Sequence, residues 1–282
     1  MAAPFVVILT PDPERPDYAD RWRPVFAGQA RLLAAAGARV EPRPWVAGPH
    51  PDADLHLATL AWGYHFDEPR WRGLLDGWPA GCPLVNAPAL LRWNTRKAYL
   101  AELERAGVAV TPTVFAERGD GAALAEARAR FGDVDLVLKP QTSAGAHHTR
   151  RVTPGEAAEL DAPAMIQPFL PAVNGEGELS VFAFDGVPAH AVAKVAAPGD
   201  FRIHPQFGGR FRTIDPPEDA LALVRAALAA APERPAYARV DIVRDPAGVL
   251  RLMELEVIEP DLYLDHMTDG GVAFTSAVLA RL

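Results

Sequence analysis

Lysine is nearly absent from this chain of 282 residues. Lys97, Lys139 and Lys194 are its only three lysines, and the other 25 of its 28 basic residues are arginine. Arginine is thus the generic surface cation here, and three exceptions to that habit need a reason. Cysteine is reduced to Cys82, which excludes an intramolecular disulfide and fits a reducing compartment. No apolar run approaches the ~18 residues of a membrane span. A net charge of -8 argues against a nucleic-acid scaffold. The opening "MAAPFVVILTPDPERPD" has no basic segment before its apolar run, so no secretory leader is expected and the cytoplasm is the default location. Neither G-x-x-x-x-G-K-[ST] nor G-x-G-x-x-G occurs, which excludes the two commonest glycine-rich phosphate loops.

What is present is a globular composition, 49% hydrophobic and 23% charged, long enough for one large domain or two to three small ones. "FVVILT" (5–10), "ADLHLATL" and "CPLVNAP" read as short strands. Between them, "RWRPVFAGQARLLAAAG" and "EPRWRGLLDGW" have helical spacing. Alternating strands and helices predict a small α/β layer with a mostly parallel sheet to about residue 88. Asn94 can cap a helix of roughly 12 residues that Gly107 would end, with Lys97 in its first turn. A lysine there is either solvated or joins the helix N-terminus in holding a phosphate. A helix is expected at about 119–132. From about 164 onward, "AMIQPFL", "ELSVFAFDG", "VPAHAVAKVAA", "YARVDIVRD" and "GVLRLMELEVIE" read as strands, with turn signals at Asp185-Gly186 and Asp245–Gly248. "PPEDALALVRAALAAA" and the C-terminus read as helices. An antiparallel α+β portion thus follows the α/β layer.

Three stretches carry chemistry. In "RLMELEVIEP", strand alternation puts Leu252, Glu254 and Glu256 on one face, and Met253, Leu255 and Val257 on the other. A tight hairpin would set Asp241 opposite Leu252, diagonal to Glu254. Two carboxylates at i and i+2 lie ~6.5 Å apart and repel by ~2.5 kcal/mol at an effective dielectric of ~20. Either Mg²⁺ or Mn²⁺ offsets the charge, or the face is simply solvated. In "DVDLVLKPQTSAGAHHT", Lys139 ends a strand before a loop of small residues. It either presents an ammonium and backbone N–H groups to phosphates or stands beside an idle loop. "QTSAG" is one glycine short of the G-x-S-x-G elbow, which would make Ser143 a hydrolase nucleophile if a helix followed directly. "AWGYH" (61–65) is either a packing corner or a source of substrate contacts.

Taken together, these segments resemble the ATP-grasp superfamily in its glutathione-synthetase-like branch, from about residue 85 to the end. "LVNAPALLRWNTRKAYL" and "DLVLKPQTSAGA" resemble the segments of its two nucleotide lysines, which implies Lys97 and Lys139, with Ser143 and Gly145 in the lid loop. That loop has fewer glycines than the family's. "MIQPFLP" resembles the hinge that reads adenine, which implicates Gln167, Phe169 and Leu170. "GEGELSVFAFDGVPAHAVAKV" resembles the next hairpin, with Glu178 at the ribose and Lys194 as a cation. Ser180 stands where the family has an arginine. "GDFRIHPQFGG" resembles the segment with an arginine at the reacting phosphate, here Arg202. "RVDIV" and "MELEVIEP" resemble the metal-binding strands, with Asp241, Glu254 and Glu256 as ligands.

The resemblance implies an ATP-grasp fold. An N-terminal α/β domain (1–88) would precede a central lobe (89–165) and a C-terminal lobe (166–282). It implies an ADP-forming ligase that makes C–N bonds through an acyl phosphate, using ATP and two Mg²⁺ ions, with Mn²⁺ as the alternative metal. The substrate would be a small amino-acid-like carboxylate, and the ligation would join two molecules or close a ring within one. The expected state is a monomer or homodimer without nucleic-acid or membrane partners. A nucleotide-binding sensory module on the same fold is the alternative.

Overall fold

The computed structural model describes residues 2–18, 21–195 and 208–282. In the first sheet, β1 (Phe5–Thr10), β2 (Arg39–Pro44), β3 (Leu55–Leu57) and β4 (Leu84–Val85) lie in the order β2-β1-β3-β4. All its pairings are parallel. β1 is buried throughout, as a central parallel strand covered on both faces must be. α1 (Trp22–Ala35) and α2 (Glu68–Asp76) follow β1 and β3. The apolar pattern gives no sign of β2, whose RVEPRP is polar and carries two prolines. It pairs only with β1, and a sheet edge is where proline is tolerated.

The second sheet is antiparallel, in the order β5-β8-β6-β7. It comprises β5 (Val114–Ala116), β6 (Leu136–Pro140), β7 (Arg150–Val152) and β8 (Ala164–Pro168). α5 (Gly121–Phe131) packs on it, and the Asp120 carboxylate caps α5 by accepting from the N–H groups of Ala122 and Ala123, each at 3.0 Å.

The third sheet is also antiparallel, in the order β11-β10-β9-β12-β13. Its strands are β9 (Glu178–Phe184), β10 (Val187–Val195), β11 (Arg210–Ile214), β12 (Tyr237–Arg244) and β13 (Leu250–Glu256). Asp185 and Gly186 join β9 to β10 with φ of 51° and 76°, the signature of a type I′ turn. One face of this sheet packs on α3 (Pro88–Asn94), α4 (Tyr99–Arg105) and α6 (Glu218–Ala230). The other face shares a core with α7 (Val272–Leu279) and the first sheet. Asn86 ties the two sheets together: its amide donates to the carbonyls of Tyr237 at 3.0 Å and Val257 at 2.8 Å, and accepts from the Ala236 N–H at 2.6 Å.

Two local expectations are corrected. The helix expected from Asn94 to Gly107 begins only at Tyr99, as α4, while Asn94 instead ends α3 and residues 95–98 form a break between the two. Asn94 caps nothing. Its side chain donates to the Leu255 carbonyl at 2.7 Å and accepts from the Val257 N–H at 3.2 Å. Lys97 therefore sits between two helices rather than in the first turn of one. The second correction concerns β13. Ile242 faces Leu252, and Asp241 faces Glu254 directly, because a β-bulge leaves Met253 as an extra residue. The bulge breaks alternation. Leu252 joins Leu255 and Val257 in the core, while Met253, Glu254 and Glu256 face a cleft.

Candidate active site

A cleft of about 470 Å³ is lined by strands of the second and third sheets and by the segments that follow β1 and β3 of the first, within the usual range for small-molecule sites. It brings together Lys97, Lys139 and Lys194 with Ser143, Gly145, Gln167, Phe169, Leu170, Glu178, Asp241, Glu254 and Glu256. Arg202 lies outside the described residues.

Lys97 is held by the break between α3 and α4, where its N–H donates to the Gln141 carbonyl at 2.8 Å. Its ammonium donates to the Ser143 carbonyl at 2.5 Å and pairs with Glu254 at 3.0 Å. Lys139 is the penultimate residue of β6 and is only 9% exposed. Among the described residues, no hydrogen bond or ion pair reaches its ammonium. Burial lowers its pKa, the Glu254 carboxylate works against that, and Lys97 reinforces it. A buried cation without a direct ion-pair partner is costly, so this geometry is built for an anion.

Across the cleft, three neighbouring strand pairings assemble a charge network. β10 sets Lys194 opposite Glu178, β9 sets Ser180 opposite Asp241, and β12 sets Arg239 opposite Glu256. The Lys194 ammonium contacts Glu178 and lies 3.2 Å from Asp241. Asp241 also accepts from the Ser180 hydroxyl and, at 2.9 Å, from Arg239, whose guanidinium reaches Glu256 as well. Burial pushes the Asp241 carboxyl upward, but Arg239 and then Lys194 hold it well below the usual range. Burial and the Asp241 charge push Glu178 up to about 7, against Lys194. Burial likewise raises Glu256, with Arg239 opposing. Burial would lower Lys194, but Asp241 and Glu178 raise it.

Arg239 is among the site residues that sequence reasoning misses, as are Glu259 and Asp261. In a chain that uses arginine everywhere, one more carries no signal by type. Its position does: in "RVD" the i, i+2 spacing puts Arg239 and Asp241 on one strand face.

The acids do not form a metal cage by themselves. Among the described residues, no three His, Cys, Asp or Glu side chains are grouped to hold an ion. Mg²⁺ commonly takes only one or two carboxylates and completes its shell with water and phosphate oxygens. Asp241 and Glu254, opposed across β12 and β13, and Glu254 with Glu256 supply such donors, and Lys139 supplies the anion-seeking cation. The residues therefore fit a metal–triphosphate and do not fit a metal alone.

Around the rest of the cleft, Gln167 donates to the Thr113 hydroxyl at 2.9 Å, and the Arg151 guanidinium lies 4.0 Å over the Phe169 ring. The loop at 141–149 crosses with left-handed backbone at Gly145 (φ 59°), Ala146 (59°) and His148 (54°). Its Thr142 hydroxyl donates to Glu68 at 2.7 Å, and the His147 ring packs 5.0 Å from Phe66, so the loop rests on the first unit. The elbow reading of Ser143 fails here. Turns and then β7 follow Ser143 instead of a helix, and among the described residues its hydroxyl has only the Pro140 carbonyl and the Lys97 ammonium as partners, both at 3.4 Å.

From "AWGYH", Trp62 and Tyr64 line the cleft with Tyr18 and Arg21. They face Glu259, Asp261 and Tyr263, which follow β13. The Trp62 indole donates to the Glu259 carbonyl at 3.2 Å. Burial pushes the Glu259 carboxyl up to about 7, with Lys97 opposing and Glu254 reinforcing. Its charge reaches across the cleft: the Tyr18 and Tyr64 phenols are raised by burial first and by Glu259 next.

No sequence-family profile matches the chain. It is 31% identical over 220 residues, 71% of this chain and 73% of the relative, to the cycloserine biosynthesis protein DcsG of Streptomyces lavendulae. The crystal structure of the D-cycloserine synthetase DcsG superposes with a TM-score of 0.79 at 24% identity, covering 98% of this chain and 99% of that one. The ATP-grasp ligase PsnB, complexed with a minimal precursor, Mg and ADP, gives 0.63 at 18% identity, covering 98% and 97%. The D-alanine–D-alanine ligase of Bacillus anthracis gives 0.69 at 16% identity, covering 99% and 96%. With its fold, its cleft and this relative in agreement, the chain belongs to the ATP-grasp ligases, ATP-dependent enzymes that form C–N bonds.

Proposed function

We propose that the chain activates a small amino-acid-like carboxylate as an acyl phosphate and delivers it to a nitrogen nucleophile. The observation that carries this reading is Lys139, buried without a partner in the same cleft as the Lys194–Asp241–Arg239–Glu256 network. Lys139 and Lys97 orient the phosphates of ATP. Gln167, Phe169 and Leu170 receive the adenine, and Glu178 the ribose. Asp241, Glu254 and Glu256 supply oxygens to one or two Mg²⁺ ions. Such ions would neutralise phosphate charge and polarise the transferring group. Arg239, with Lys194 behind it, faces the charge that develops when carboxylate and phosphoryl group meet, where a preorganised cation is most effective. The resemblance implies the same role for Arg202. The loop at 141–149, docked on the first unit, excludes water that would otherwise hydrolyse the activated acyl group.

The likeness to DcsG supports an intramolecular version, closing a ring as in the conversion of O-ureido-D-serine to D-cycloserine. The test is calorimetric titration with Mg·ATP, followed by an ADP-release assay with O-ureido-D-serine and mass spectrometry of the product. Binding of Mg·ATP with stoichiometric ADP and a product about 61 Da lighter than the substrate, the mass leaving as carbon dioxide and ammonia from the ureido group, supports ring closure to D-cycloserine. No binding of Mg·ATP sinks the ligase reading. Binding without that product removes only the cyclo-ligase assignment.

A further inference from the structure

Among the described residues, six carboxylates line the cleft: Glu178, Asp241, Glu254, Glu256, Glu259 and Asp261. Four of them touch a cation: Glu178 and Asp241 meet Lys194, Glu254 meets Lys97, and Glu256 meets Arg239. Glu259 and Asp261 are left over. Among the described residues, no side chain bonds to or pairs with either carboxylate. Yet both are anchored, Glu259 through its carbonyl on the Trp62 indole and Asp261 by accepting from the Tyr263 N–H at 3.2 Å. We propose that Glu259 and Asp261 bind the ammonium group of an amino-acid substrate and are the specificity-determining residues of the reaction. The inference rests on the ligase reading and adds to it the charge that the substrate must carry.

The opposite imbalance supports it independently. Lys139, nine-tenths buried in the same cleft, lacks a negative partner, so the ligands together must bring both signs. A triphosphate satisfies Lys139 and leaves the two acids unanswered. The surrounding wall also favours an organic cation. Tyr18, Trp62 and Tyr263 line it, and aromatic faces attract ammonium groups, whereas Mg²⁺ requires oxygen ligands. Burial raises both carboxyls, as is expected of acids whose counter-charge arrives with a ligand.

The experiment compares ADP release with a panel of free L- and D-amino acids, O-ureido-D-serine included, and the same compounds N-acetylated, which keeps the carboxylate and removes the cation. The expected result is stimulation by at least one free amine and about tenfold less by its acetylated form. For that amine, Glu259→Gln and Asp261→Asn each raise KM about tenfold or more with a smaller change in kcat. Both keep the Kd for Mg·ATP within about twofold, which a merely misfolded variant would not. Equal stimulation by the acetylated compound overturns the proposal. So does an unmoved KM in both variants, or a silent panel in a protein that binds Mg·ATP. The acetylation comparison needs no variant and decides the matter if one fails to fold. Failure of the wild type to bind Mg·ATP strikes the ligase reading instead.

Discussion

Arg239 and Asp241, two residues apart on β12, meet side chain to side chain at 2.9 Å, and the same guanidinium reaches Glu256 on β13. One planar cation thus holds two acids on neighbouring strands. Replacing Arg239 by Met leaves both without it. Removing a donor aimed at developing charge typically costs ~10²–10³ in kcat, and leaving a buried charge uncompensated costs ~3–5 kcal/mol. Arg239→Met is expected to lose activity on that scale and to melt lower. Arg239→Lys should recover part of the stability and little of the activity, because an ammonium does not reproduce a two-acid fork. Steady-state kinetics and melting curves of the pair check this.

The two nucleotide-side lysines should respond in opposite ways. Lys139→Met removes a buried cation without a partner, so the ligand-free protein is expected to melt higher, while the Kd for Mg·ATP weakens about tenfold or more. Lys97→Met strips the partner from Glu254 and from the Ser143 carbonyl, so melting temperature and affinity should both fall. Scanning fluorimetry with and without Mg·ATP distinguishes these outcomes. A lower melting point for Lys139→Met contradicts the account.

Glu259 gives a pH dependence. Its carboxyl is raised from 4.5 to about 7 in the folded chain, so the folded state holds that proton more tightly than the unfolded one. The linked stability is full below about pH 4.5 and is lost as pH rises through about 7. Glu259→Gln has no such proton to lose. Its melting temperature should match the wild type near pH 4.5 and exceed it at pH 8. A difference that stays flat across that range counts against the assignment.

Thr142 fastens the lid to Glu68. Thr142→Val keeps the shape and deletes the bond, worth ~1.5–3 kcal/mol when one partner is charged. The loop should open more often. Trypsin cleavage after Arg150 or Arg151 is expected to quicken by about tenfold, and ATP hydrolysis without product should increase. Unchanged rates of both would show that the bond does not restrain the lid.

Much of this was legible in the sequence because it depends on local rules. The β1 run, the Asp185-Gly186 turn and the α5 helix each follow from a few neighbouring residues. The rarity of lysine pointed to Lys97, Lys139 and Lys194, all of which line the cleft. The same reasoning hid Arg239, because a habit that makes lysine conspicuous makes arginine invisible. β2 was hidden because an edge strand needs little hydrophobicity. The break at residues 95–98 was hidden because long-range bonds, Asn94 to Leu255 among them, override helix propensity. The acids after β13 stood in plain view, but their lack of partners is a property of three dimensions.

The bulge at Met253 separates strand length from strand facing. Excising that one residue would restore simple inside–outside alternation, with Leu252 and Leu255 still inward and Glu254 and Glu256 still outward. A related chain shorter by one residue here could therefore keep both glutamates facing the nucleotide, and the thioether would be the only group missing from the cleft floor. Counting back from the hairpin turn is thus an unsafe guide to which acids such chains present.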